Sequence, residues 1–166
     1  MPTRERPATP VKERALRLLS VRSRSRTELM HRLRRAGYES EEIEEALSDL
    51  ERVGLIDDER FAREVAEDRR KRGYGPRAGM AALRQKGVDR AVAERVVEES
   101  QPEDEEDRAA EVARARWPRL SNLEPPVARR RLLDFLLRRG FDFQVARDAC
   151  RRVIEEGDGP DEDEPA

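Results

Sequence analysis

Cysteine is nearly absent from the 166-residue sequence; Cys150 stands alone. One thiol excludes an intramolecular disulfide and leaves a cysteine-based zinc site without ligands. Apolar neighbours assign Cys150 to a small core, the usual place of a free cysteine. Histidine is equally scarce. His31, within "LMHRL", has no second histidine at metal-binding spacing and no catalytic partner, and reads as an ordinary helical residue. Aromatics make up 4% of the chain, so platforms for stacking single-stranded bases are few. Tyr74 is the one candidate for an exposed ring. Long apolar runs are missing: nothing approaches the roughly 20 residues that span a bilayer. The opening "MPTRERPATP" lacks the apolar core of a signal peptide, so a cytoplasmic location is expected. Neither a G-x-S-x-G nucleophile turn nor a G-x-x-x-x-G-K-[ST] phosphate loop occurs. These gaps speak against an enzyme, a resident metal or a cofactor.

Charge is abundant. Charged residues reach 43% against 36% hydrophobic, which favours several thin cores over one large core. The net charge of -2 hides an asymmetry. Between Val11 and Ala36 stand nine basic residues and two acids, whereas the final "EEGDGPDEDEPA" carries seven acids and no base. A basic body with an acidic tail points to a polyanionic partner. The tail could also mimic DNA and cover the basic faces.

An internal repeat organises the chain. Gly37, Gly87 and Gly140 are each preceded, four residues earlier, by Leu33, Leu83 and Leu136, and followed at once by Tyr38, Val88 and Phe141. Apolar positions then recur at +6, +9, +10 and +13. They are Ile43, Ala46, Leu47 and Leu50 in the first unit and Ala146, Ala149, Cys150 and Val153 in the third. The second has Ala93, Val96 and Val97, and then Ser100. That spacing is one face of a helix, and each glycine suits a helix end that needs the left-handed conformation. A further helix precedes each pair, starting near Pro10, Asp58 and Asp104. No run of alternating β-branched residues predicts a strand. The expectation is therefore an all-α fold of three tandem three-helix repeats over 10–54, 55–101 and 102–156. Disordered ends at 1–9 and 157–166 and an elongated, curved molecule are also expected.

The stretch "GLIDDERFAREVAEDRRKRGYGP", residues 54 to 76, tests the competing chemical readings. Adjacent carboxylates on a helix do not face one another, so Asp57 and Asp58 are poorly placed as a metal or acid–base pair. They fit a helix start instead. Asp57 becomes the N-cap, and Asp58 and Glu59 sit in the first turn, where the dipole favours negative charge. Ile56 and Phe61 form a hydrophobic staple, and Leu55 and Ile56 enter the core. Ser25 with Glu28 predicts a capping box. Pro76 and Pro125 suit first helical turns.

Basic residues collect at the helix junctions. Arg69, Arg70, Lys71 and Arg72, with Arg77 and Lys86, surround the Gly73-Tyr-Gly-Pro turn, and Arg22, Arg24 and Arg26 occupy the corresponding turn of the first repeat. These nine are the candidate contact residues for DNA phosphates or partner carboxylates. Arginine outnumbers lysine 32 to 3, which suits forked recognition of phosphate or carboxylate. A solvated helix face is the plainer explanation of the same charges.

Several of these motifs together resemble the RecX family of recombinase regulators. They are "GLIDDERFA", then Arg70, Gly73, Gly75, Pro76 and Arg77, then "ALRQKGV" (82–88), and before them "ALRLLSVRSRSRTELMHRLRRAGY" (15–38). The likeness covers about residues 12 to 100; the third repeat follows it loosely, and the acidic tail and "EDEED" (103–107) depart from it. The resemblance implies three tandem three-helix repeats and no enzymatic activity. The chain itself is expected to be a monomer; the resemblance implies a partner, the RecA filament on single-stranded DNA, along whose groove family members lie. There it would interfere with filament extension, strand exchange, ATP turnover and co-protease function. A general helical DNA-binding protein without a recombinase partner is the alternative, and a scaffold for some other protein a third.

Overall fold

The computed structural model describes residues 8–100 and 105–157. Among these there are nine α-helices, one 3₁₀ turn and no strand. The first three helices are α1 (Val11–Val21), α2 (Arg26–Arg35) and α3 (Ser40–Arg52). The next three are α4 (Asp58–Lys71), α5 (Pro76–Gln85) and α6 (Arg90–Glu99). After them come α7 (Glu105–Arg116), the 3₁₀ turn (Trp117–Arg119), α8 (Pro125–Arg138) and α9 (Phe143–Gly157). They gather into two compact units. One is Met1–Ala66 with Met80–Val97; the other is Glu67–Gly79 with Glu98–Ala166. The acidic stretch 158–166 and most of the N-terminal tail lie outside the described residues. Thr9, assigned to that tail, accepts a hydrogen bond from the Tyr38 hydroxyl at 2.7 Å.

In the first unit the repeat positions form two cores. Ala15, Leu29, Leu33, Ile43, Leu47, Leu50 and Ile56 make one. Phe61, Ala62, Leu83, Val88, Ala93, Val96 and Val97 make the other. In the second unit α7, α8 and α9 close around Leu132, Leu136, Phe141, Ala146 and Cys150. Every apolar residue at the +6, +9, +10 and +13 positions is buried. The three repeat glycines have φ of 94°, 69° and 87°. The residue after each glycine turns back and donates to the leucine carbonyl, as Tyr38 to Leu33 (3.3 Å), Val88 to Leu83 (3.1 Å) and Phe141 to Leu136 (3.3 Å). That bond satisfies a carbonyl the helix end leaves open, and the same residue adds an apolar lid.

Helix starts follow local chemistry. Ser25 Oγ accepts from the Glu28 N–H at 3.0 Å, and Asp57 Oδ1 accepts from the Arg60 N–H at 2.9 Å. Two expectations about the segment before α4 need correction. Ile56 and Phe61 are both buried, but in different cores, so they hold two cores rather than one staple. Leu55 does not enter the core; it is 49% exposed. The Leu55 and Ile56 N–H groups both donate to the Leu50 carbonyl. The tight turn this makes sends Ile56 inward and leaves Leu55 at the surface.

Two junctions of the same design tie helix starts to helix ends. Within the first unit, Ser25 Oγ donates to the Lys86 carbonyl (2.5 Å) and Thr27 Oγ1 to the Gly87 carbonyl (2.9 Å). The start of α2 thus sits on the finishing turn of α5. Asp58 reaches the same place, its carboxylate accepting from the Arg26 N–H at 2.8 Å. Within the second unit, the Gly75 N–H donates to the Arg139 carbonyl (2.8 Å) and the Arg77 N–H to the Gly140 carbonyl (3.1 Å). The start of α5 sits on the finishing turn of α8. Ser25 and Gly75 each precede their helix, and Thr27 and Arg77 are each its second residue. The exposed N–H end of one helix thereby meets the carbonyl end of another, the favourable dipole arrangement.

Tight approach has a steric condition. A Cβ on Gly75 would stand 2.6 Å from the Gly140 carbonyl oxygen, and one on Gly140 would strike Ala78. Gly75→Ala is expected to destabilise the protein by about 1–3 kcal/mol, the range for forced overpacking, as read from a urea melt. Burial pushes the Cys150 thiol up to about 11. The native protein should accordingly react with a thiol-specific reagent only after denaturant unfolds it; rapid labelling of the folded chain would contradict this placement.

Candidate functional site

The Gly73-Tyr-Gly-Pro turn carries the end of α4 onto α7 and α8, and a cavity of about 440 Å³ opens beside it in the second unit. Seven basic side chains line it: Arg70, Lys71, Arg72, Arg108, Arg116, Arg119 and Arg139. Glu111 is the one acid in the lining. Such a wall attracts anions, and the pairing of its members decides which can act.

Arg70 makes a two-pronged contact with Glu67, at 2.9 and 3.0 Å, and Lys71 shares that carboxylate at 3.5 Å. Arg72 pairs with Asp68 at 3.1 Å. The Arg70 hydrogen bonds, with the further attraction of Lys71, lower the Glu67 carboxyl to about 2. Arg108, Arg116, Arg119 and Arg139 have no ion-paired carboxylate among the described residues. Arg108 instead donates to the Arg70 and Tyr74 carbonyls, both at 3.2 Å. Arg139 donates to the Arg72 carbonyl at 2.6 Å. Both cap the end of α4, where cations suit the helix dipole. Burial and then the neighbouring Arg70 lower the affinity of Arg108 for its proton. Its site is both desolvated and positive.

Rings and guanidinium groups alternate along the wall. Arg69 and Arg139 lie over Tyr74, at 4.9 and 4.6 Å from its centre. Arg139 and Arg116 lie over Phe135, at 5.1 and 5.2 Å. The order Arg69–Tyr74–Arg139–Phe135–Arg116 forms a cation–π ladder, which holds flexible side chains in place before any ligand arrives. The Nε of Arg116 is buried without a partner.

The nine residues nominated from sequence have separate fates. Arg70, Lys71 and Arg72 line this cavity, and Arg69 joins its ladder. Arg77 pairs with Asp142 outside the lining. Lys86, Arg22, Arg24 and Arg26 belong to the first unit. There Lys86 stands over Phe61 and Arg22 pairs with Glu28 at 2.8 Å. Arg26 pairs with Glu44 at 2.8 Å and Glu51 at 3.4 Å. Arg24 is buried. Tyr74, expected to be exposed, is half-buried between two arginines. Sequence reasoning missed Arg108, Arg116, Arg119, Phe135 and Arg139. The signal was present in part: Arg108, Val112 and Arg116 recur at helical spacing on one face of α7, and Arg119 continues the run.

Comparison with known proteins bears on this arrangement. Family models described as the first, second and third three-helix domains of RecX match residues 12–50, 57–97 and 103–150. A regulatory protein RecX from Corynebacterium efficiens is 40% identical over 152 residues, covering 88% of this chain and 72% of that protein. One from Amycolatopsis mediterranei is 39% identical over 146 residues, covering 87% and 83%. The crystal structure of RecX from Lactobacillus salivarius superposes with a TM-score of 0.77 at 21% identity, over 87% of this chain and 95% of that one. That likeness shows the all-α fold.

The pairing of Glu67 can be tested by titration. A depressed carboxyl contributes stability that is present above its unfolded value, about 4.3, and is lost as pH falls toward 2. Carboxyl NMR should place the Glu67 midpoint near 2. Arg70→Gln should return it toward the ordinary range, and a midpoint that does not move would remove Arg70 as the cause.

Proposed function

The chain belongs to the RecX family of regulatory proteins, and from that membership we propose that it binds the RecA filament on single-stranded DNA and modulates it, mainly by inhibition. The filament's recombinase, ATPase and co-protease activities are the ones affected. The observation that carries this reading is the arginine-lined cavity: four guanidinium groups without carboxylate partners among the described residues, two of which, Arg116 and Arg139, stand over Phe135 and Tyr74. A filament offers both nucleic-acid phosphates and protein carboxylates, and forked guanidinium groups suit either. Arg116, Arg119 and Arg139 make the contact, and Arg70, Lys71 and Arg72 add positive potential around it. The protein acts as a cytoplasmic monomer without a cofactor and without catalysis of its own. No helix among the described residues is long and apolar enough to cross a membrane.

The many ion pairs elsewhere favour this cavity over the other basic runs. A cation already held by a carboxylate must give that partner up before it binds another anion, whereas Arg116 and Arg119 need give up none.

The test is inhibition of single-strand-dependent ATP hydrolysis by purified RecA. The double variant Arg116→Gln, Arg119→Gln should need about tenfold more protein for half inhibition, a loss of roughly 1.4 kcal/mol, with helicity by circular dichroism unchanged. Undiminished inhibition would reject the contact assignment. A titration of labelled single-stranded DNA without RecA separates the alternative of a general DNA-binding protein. Tight binding with a steep salt slope, and no further gain on adding RecA, would favour that alternative.

A further inference from the structure

A second cavity, of about 350 Å³, lies wholly in the first unit, between α1 and the start of α4. Its lining joins Leu16, Leu19, Leu55 and Phe61 to a polar side made of Ser20, Ser23, Arg24, Asp57 and Arg60. Leu16 and Leu55 in this lining are 41% and 49% exposed, so two large apolar side chains share one opening. One guanidinium group in this lining is set apart by its burial. Arg24 is only 7% exposed. Its Nε donates to the Leu18 carbonyl at 3.1 Å, while its Nη1 is buried and has no partner.

A buried cation without a counter-ion is unfavourable unless something completes its hydrogen bonds. The Leu18 carbonyl holds Arg24 through its Nε, and Arg24 lines the same cavity as Leu16 and Leu55. Arg22 and Arg32 add to the positive field around it, and Glu28 opposes them. Burial is the largest influence on Arg24 and disfavours its charged form, which an incoming anion would reverse.

We propose that this cavity is a docking site for a partner peptide that presents an aliphatic side chain beside a single carboxylate. The apolar side chain fills the space between Leu16, Leu19 and Leu55, and the carboxylate pairs with the Arg24 guanidinium. Charge complementarity selects the occupant. The lining holds two cations, Arg24 and Arg60, against the one carboxylate of Asp57, a balance that a single carboxylate completes, whereas a run of phosphodiesters would also meet Asp57. Asp57 can accept a hydrogen bond from a peptide N–H, which a nucleic-acid backbone lacks. The site is thus distinct in both place and chemistry from the arginine cavity of the second unit, and it does not depend on the reading given to that cavity.

Fluorescence anisotropy on the full chain tests the assignment. The probe is a short labelled peptide in which leucines alternate with aspartates; its controls are the same peptide with asparagines and a labelled oligothymidine. The aspartate peptide should bind at least about tenfold more tightly than its asparagine twin. Arg24→Met should abolish that preference, and Leu55→Ser should weaken the aspartate peptide by a similar factor. The Arg116→Gln, Arg119→Gln variant should leave peptide binding unchanged while lowering binding of oligothymidine. Equal affinity of the two peptides, or a preference that survives Arg24→Met, overturns the proposal. Oligothymidine that competes with the peptide and is weakened by Arg24→Met would overturn it in favour of a nucleic-acid site. Should Arg24→Met fail to fold by circular dichroism, the twin comparison and Leu55→Ser decide the matter.

Discussion

Carbonyl groups at the ends of α5 and α8 are satisfied by the beginnings of other helices, and much of the architecture depends on that pairing. A helix finishing at a glycine turn exposes acceptors; a helix starting exposes donors. At Gly87 the donors are the Ser25 and Thr27 hydroxyls. At Gly140 they are the Gly75 and Arg77 main-chain N–H groups. The second pairing also positions chemistry. It seats the Gly73–Arg77 turn, and this brings Tyr74 beside Arg139 and sets the end of α4 within reach of Arg108. The alternating ladder of arginines and rings follows from the junction.

The helices and their buried faces were legible because periodicity is a local property. Leu33, Leu83 and Leu136, and the stripes that follow each glycine, announce themselves by spacing alone. Leu55 did not, because adjacent apolar residues at a turn cannot both point inward, and only the bonds to the Leu50 carbonyl decide which does. The pairing of charge was less legible still. Composition shows that arginines are plentiful, but whether Arg77 meets Asp142 or Arg26 meets Glu44 is a matter of tertiary approach. Basic runs such as 69–72 look equally available in the sequence. In the fold three of the four are held by Glu67 or Asp68 and the fourth is stacked on Tyr74.

For a RecX family member this shifts attention from the density of positive charge to its engagement. Surface ion pairs contribute little to stability, typically about 0–1 kcal/mol, yet they sort one arginine from another. Those with partners blunt the local field. Arg116 and Arg119 have no ion-paired carboxylate among the described residues, and Arg24 has one buried donor without a partner. The two cavities differ in character: seven basic side chains and one acid line the first, whereas three leucines and Phe61 share the second with Arg24, Arg60 and Asp57.

The two junctions differ in the material from which they are made, and this has an evolutionary consequence. At Gly75 and Gly140 main chain meets main chain, so almost any side chain added there forces the surfaces apart. Substitution can break that joint but cannot adjust it. At Ser25 and Thr27 the same office is held by two hydroxyls. These can be exchanged, shortened or lost one at a time, so the joint can loosen by degrees. One joint is closed by main chain on both sides; the other can vary at its two hydroxyls but not at Gly87, where an added Cβ would strike Thr27.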